Sequence, residues 1–172
     1  YALASLHRQY PGQVLAFHAR LQDTPPEDDP VPGLERLCAD MGVPLHVLDL
    51  HEAFSRRIIK PFAESYAHGE TPNPCVRCNA LVKFGLWLDE ARRLGADKLA
   101  TGHYVSLVEH PRYGFSLRQG ADETKDQSYF LALTPMNRLR DAVFPLADVR
   151  KSDVRAALAE WSPVKESVIS TV

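Results

Sequence analysis

Cys75 and Cys78 stand three residues apart in the stretch TPNPCVRCN, residues 71–79, and thiols at that spacing serve three kinds of chemistry. A structural zinc site needs four ligands; the second cysteine pair that such sites usually carry is absent, so two histidines would have to complete it. A thioredoxin-like redox pair follows a strand and opens a helix, and TPNP does not read as a strand. The third use is a reactive thiol. With Asn79 as helix cap, Cys78 falls just outside the positive end of a helix, with Arg77 beside it and Lys83 one turn on, and dipole and cations together favour thiolate. On that reading Cys78 is the more nucleophilic of the two. Pro72 and Pro74 restrict their own backbone and that of their neighbours, so the loop holding Asn73 and both sulfurs is stiff. The plainer alternative makes Cys78 a small apolar residue at a helix start, as Cys38 in ERLCADMG is.

These residues need a frame. YALASLHRQ (1–9) has helical period with Leu3 and Leu6 on one side, and Pro11–Gly12 stops it. QVLAFHARL (13–21) reads as a strand, TPPEDDPVPG (24–33) as a loop, GLERLCADMG as a short helix closed by Gly42, and VPLHVLDL (43–50) as a strand apolar enough for burial on both faces. A helix is expected over about 51–67. After the cysteines, Phe84, Trp87, Leu88, Ala91 and Leu94 repeat at the spacing of a helix laid on a core, and Gly95 ends it. DKLATGHY (97–104) is a strand running into Gly102, residues 104–120 form a hairpin turning between Pro111 and Gly114, and helices are expected at 127–134 and 148–161. Helices alternating with buried strands predict an α/β fold, a parallel sheet flanked by helices.

Composition narrows the function classes. The chain has 172 residues and a net charge of −2, so a polyanion would have to be met by local clusters such as Arg138 with Arg140, or Arg150, Lys151 and Arg155. Such clusters also occur simply as the solvated face of a helix. No apolar run approaches the ~18–20 residues of a membrane span, and the cytoplasm is the expected compartment. Gly102, with His103 after it, lies at a strand end where backbone can approach a nucleotide closely, or merely makes a turn. Lys125, Asp126 and Gln127 stand at the mouth of a helix, where they read locally as cap and surface.

Taken in order, TPNPCVRCN, VKF, LGADKLATGHY, KDQSYFLALT and FPLADVRKSDVR resemble the tRNA-specific 2-thiouridylases, the MnmA family, over about residues 69–158. The resemblance implies a Rossmann-like N-type ATP pyrophosphatase fold. Its nucleotide-binding part is expected over 1–106, without its first strand and phosphate loop, and a hairpin and helices continue the catalytic domain over 107–172. It implies a tRNA-uridine 2-sulfurtransferase that adenylates the C2 oxygen of the wobble uridine with ATP, accompanied by Mg2+, and takes sulfur from a cysteine persulfide. tRNA and a sulfur-donor protein are the implied partners; no membrane is.

By the same resemblance Cys78 matches the first catalytic cysteine, which attacks the persulfide or releases its sulfide. Asn73, Pro74 and Cys75 line the pocket of the target base; Gly102 touches ATP, and the backbone of His18 meets the adenine. Lys125, Asp126 and Gln127 match a tRNA-contacting element. The family's Ser-Gly-Gly-x-Asp-Ser phosphate loop does not occur in these residues, and VKES (164–167) looks like the beginning of the stretch before the second cysteine. This sequence is therefore expected to be part of a longer enzyme, the alternative being a non-catalytic nucleotide- or RNA-binding relative.

Overall fold

Leu3 and Leu6 fall on one side of α1 (Ala2–Gln9), and Leu3 packs on the small core formed by Ala16, Cys38 and Val43. Those three residues come from β1 (Ala16–Arg20), α2 (Val31–Met41) and the approach to β2 (Leu45–Asp49). The computed structural model describes residues 1–160; VKES and the last residue of the helix expected to reach 161 lie outside the described residues. β1 and β2 pair in parallel, from Ala16 opposite Leu45 to Arg20 opposite Asp49. A parallel pair requires a crossover, and α2 supplies it. Gly42, with φ +64°, ends α2 in the left-handed region that glycine enters without strain.

Two expectations for this region are corrected. The 24–33 segment is not loop throughout, since α2 begins at Val31, where Val31 N–H donates to Asp29 Oδ1 at 3.0 Å. β2 is half-buried along its apolar residues rather than buried on both faces, so its hydrophobic density overstated its cover. Cys38 is an interior residue, 3% exposed, as its helix position predicts.

Residues Tyr1–Ser55, with the described residues from Arg155 onward, form one compact unit, and Arg56–Val154 form a second. A short helix α3 (His51–Phe54) is followed by a π-helical run at Ser55–Ile59 and then by α4 (Lys60–Ala67). In the second unit, α5 (Pro74–Cys78) passes into another π-helical run, Asn79–Trp87, and then into α6 (Leu88–Arg93). Phe84 and Leu88 are fully buried there, with Leu99, Val105, Leu131 and Phe144 around them. Full burial of such a side chain is worth roughly 1.5–3 kcal/mol, so this cluster anchors the helix that carries the cysteines.

β3 (Leu99–Ala100) is followed by an antiparallel hairpin, β4 (Val105–His110) and β5 (Gly114–Gln119). After α7 (Met136–Leu139), β6 (Ala142–Val143) pairs with β3 in parallel, and α8 (Lys151–Glu160) follows. The hairpin turns at 111–113 as expected. The strand expected over 97–104 is regular only at two residues, and the helix expected over 127–134 is a single 3-10 turn, Ser128–Leu131. Asp141 pins the start of the β3–β6 pair: it is ion-paired with Arg92, and Lys98 Nζ lies 3.3 Å away. The Arg92 hydrogen bond, with Lys98, holds the Asp141 carboxyl below its usual range, against a smaller opposing effect of burial.

Candidate functional site

The helix bearing the cysteines begins earlier than the expected cap at Asn79. Asn73, not Asn79, is its N-cap: Asn73 Oδ1 accepts hydrogen bonds from Cys75 N–H at 3.1 Å and Val76 N–H at 3.3 Å. Pro74 occupies the first helical position, where its missing N–H costs nothing. Cys75 and Cys78 are thus one turn apart on a helix and share a face; both are free thiols, Cys75 exposed and Cys78 half-buried. Asn79 lies inside the helix, 3% exposed, and its Nδ2 donates to the Phe130 carbonyl at 3.0 Å. This bond ties the helix to the turn after Gln127.

The correction reverses the expected electrostatics of Cys78. The thiol lies a turn inside the helix, away from its positive end, and burial pushes its pKa above the ordinary value. Lys83 opposes that shift, and Cys75 adds slightly to it. Lys83 also acts on His103, which is 5% exposed and has a pKa lowered to about 4, first by burial and then by the Lys83 charge. His103 is therefore neutral near pH 7. Its Nδ1 lies 2.8 Å from Thr101 Oγ1, and its ring contacts those of Phe84 and Phe144 at centroid distances of 6.2 and 6.1 Å. One ammonium thus acts downward on both a thiol and an imidazole, in each case second to burial. Replacing Lys83 by methionine is expected to raise both pKa values. The thiol shift is read from the pH dependence of Cys78 alkylation in a Cys75→Ser background, the imidazole shift from its NMR titration; unmoved curves would deny Lys83 this role.

Gly102 follows β3 at its carboxyl end and is half-exposed. A Cβ added there would meet only Leu146 Cδ1, at the ordinary contact distance of 3.7 Å. Nothing inside the chain demands a glycine at this position, so the bare backbone is free for a molecule from outside.

Of the expected contact element, Lys125 is exposed and its side chain makes no hydrogen bond or ion pair among the described residues. Asp126 and Gln127 are occupied internally. Asp126 accepts from Ser128 N–H at 3.0 Å and from Ser128 Oγ at 2.8 Å. Gln127 Oε1 accepts from Tyr104 N–H at 2.9 Å, and Gln127 N–H donates to the Tyr104 carbonyl at 3.2 Å. Those two therefore shape the segment, while Lys125 faces water.

His18 belongs to the first unit, half-buried on β1 opposite Val47. Burial lowers its pKa, Asp29 opposes and Arg20 reinforces the shift. Arg20 pairs with Asp29 at 2.6 Å, which ties the end of β1 to the start of α2. His46 and His51, separated by four residues, also lie in that unit, and among the described residues no cluster of three or more His, Cys, Asp or Glu could hold a metal ion. Nor is any helix among them long and apolar enough to cross a membrane.

Sequence reasoning set Lys83 beside Cys78 and His103 after Gly102, but did not bring the two together. Both stand beside motifs it used, and what joins them is a tertiary contact between the cysteine helix and the residues after β3.

Parallel strands joined by helices, with a half-exposed glycine past a strand's carboxyl end, make this a Rossmann-like α/β chain. A family model described as the tRNA methyl transferase HUP domain matches residues 4–165. The chain belongs to that family. It is 54% identical over 159 residues to the tRNA-specific 2-thiouridylase MnmA of Lawsonia intracellularis, covering 92% of this chain and 45% of that protein. The protein of the same name from Nitratidesulfovibrio vulgaris strain DP4 is 53% identical over 88% of this chain and 44% of its own length. That of Thermus thermophilus is 49% identical over 73% of this chain and 32% of its own. The chain thus spans a little under half the length of the first two relatives, and the family resemblance expected from the motifs is borne out.

Proposed function

We propose that this chain is the catalytic part of a cytoplasmic, ATP-dependent tRNA sulfurtransferase that replaces the C2 oxygen of the wobble uridine with sulfur. The observation that carries the reading is the 54% identity over 92% of the chain to a tRNA-specific 2-thiouridylase, since a match of that length necessarily spans the cysteine helix. Residues 1–106 supply the nucleotide side and 107–172 complete the catalytic domain. ATP is a substrate here, with Mg2+ compensating its phosphate charge. Gly102 fits an approach to ATP because it is half-exposed just past the end of β3 and no close packing inside the chain accounts for its lack of a side chain, and the His18 backbone serves the adenine.

Asn73, Pro74 and Cys75 then form the wall that receives the extruded base. Capping serves this role directly: with Asn73 Oδ1 fixed on two helix N–H groups, the turn before Cys75 has one conformation to present. Lys125 offers its ammonium to an RNA phosphate, and Asp126 and Gln127 hold the backbone that places it. In the chemical step the uridine O2 attacks the ATP α-phosphorus and pyrophosphate leaves. The Cys78 thiolate attacks the inner sulfur of a persulfide carried on another cysteine, forming a disulfide and releasing hydrosulfide. Hydrosulfide adds at C2 and AMP departs with the oxygen. The sulfane sulfur is reduced as two thiols become a disulfide, so the electrons balance.

The full-length protein incubated with unmodified tRNA, ATP and a persulfide donor is expected to give 2-thiouridine and AMP in equal amounts. Absence of both products would reject the reading.

A further inference from the structure

We propose that a concavity bounded by Arg57 and Arg138, apart from the base pocket, is a subsite for a backbone phosphodiester of the RNA substrate; this rests on the tRNA reading above. The concavity has a volume of about 270 Å³ and is lined by Arg57, Ala80, Gly85, Leu86, Pro135 and Arg138. Two observations single it out. Both π-helical runs meet there: Ser55–Ile59 contributes Arg57, and Asn79–Trp87 contributes Ala80, Gly85 and Leu86. Wide turns of this kind are rare and recur at functional sites.

The second observation is charge. Arg57 is half-buried and has no hydrogen-bond, ion-pair or ring partner among the described residues. Arg138, its side chain 30% exposed, is ion-paired with Asp89 at the rim. Two guanidinium groups against one carboxylate leave a single positive charge, the complement of one phosphodiester. A half-buried guanidinium gains most from an anion that its planar donors can grip in pairs.

The floor suits the rest of a nucleotide unit. A Cβ added at Gly85 would stand 3.1 Å from the Ala80 carbonyl oxygen, five residues back. Glycine therefore permits the wide turn and leaves bare backbone facing the concavity, while Leu86 and Pro135 offer apolar surface for a ribose. Location argues for a strand of RNA over a free anion. The run that forms the floor starts at the residue after Cys78, and at ~1.5 Å per helical residue the two lie within roughly 10 Å along the helix.

The test is tRNA binding by the full-length protein across a range of salt concentrations. For Arg57→Gln, affinity is expected to fall about 3- to 10-fold near 0.15 M salt, and the slope of log K against log salt to become shallower by about one. The thermal midpoint is expected to stay close to that of the wild type, because Arg57 makes no hydrogen bond or ion pair among the described residues. Arg57→Lys is expected to keep the wild-type slope and recover most of the affinity. If wild-type protein binds tRNA with a steep salt dependence and Arg57→Gln matches it in Kd and slope, the subsite is refuted while the tRNA reading stands. If the wild-type protein does not bind tRNA, both fall together. Arg57-dependent binding of inorganic phosphate or of a donor protein, with RNA affinity unmoved, also overturns the subsite.

Discussion

Replacing Cys78 by serine is expected to cut 2-thiouridine formation by the full-length protein at least about 10³-fold, because a hydroxyl at neutral pH supplies essentially no anionic nucleophile where a thiol supplies some. The helix should survive the change. Cys78 is half-buried, its cap lies at Asn73, and the core below rests on Phe84 and Leu88. ATP binding, read at Gly102 and His18 in the proposed arrangement, should be unaltered. Cys75 provides the internal control. It lies one turn away on the same face but is exposed, so Cys75→Ser is expected to lose no more than about tenfold, the loss of one neutral wall contact near the base. Equal loss in both variants would point to the pair acting as a redox couple, and full activity in Cys78→Ser would remove Cys78 from the chemistry. The raised pKa of the thiol adds a signature. Thiolation limited by this attack should rise with pH across the neutral range, and Lys83→Met should depress it most at the lower end.

The parts of the fold written locally were legible. Leu3 and Leu6 announced α1, Gly42 closed α2, and the turn before Gly114 set the hairpin, since each depends on residues within one turn of another. The start of the cysteine helix was also written in the sequence, as Asn73 followed by Pro74, a cap followed by the residue preferred at the first helical position. Asn79, shortly before a clear apolar repeat, carries the same local signal for a cap, and with the cap at Asn73 instead the electrostatics of Cys78 are inverted.

What could not be read were contacts that close over long separations. Asn79 with Phe130, 51 residues apart, and Gln127 with Tyr104, 23 apart, depend on how β3 and the hairpin stack on the helix. The two-residue strand β6 has no periodicity to detect; it exists because Leu99 N–H and Thr101 N–H donate to the Asp141 and Val143 carbonyls. The π-helical runs likewise have no compositional mark beyond Gly85 standing five residues after Ala80.

His103 makes the largest stability prediction. In the unfolded chain its imidazole titrates near 6.5, and in the fold near about 4, so below pH 6.5 the unfolded state binds a proton that the folded state refuses. Stability from this group is complete above 6.5, declines as pH falls toward about 4, and levels off below that. Between pH 7 and pH 4 the loss amounts to about 3 kcal/mol. His18, also lowered but half-buried, adds in the same direction. Asp122 and Asp141 are held below 3.8, Asp122 mainly by the Lys151 N–H and Asp141 by Arg92, so their share is lost only at more acid pH. The intermediate window therefore reports chiefly on His103. Urea unfolding of wild-type protein should show the midpoint dropping through this range, and His103→Gln, neutral throughout, should flatten most of the drop whatever it costs at pH 7. A slope that persists undiminished in His103→Gln would mean that the imidazole is not held neutral between Phe84, Phe144 and the Lys83 charge.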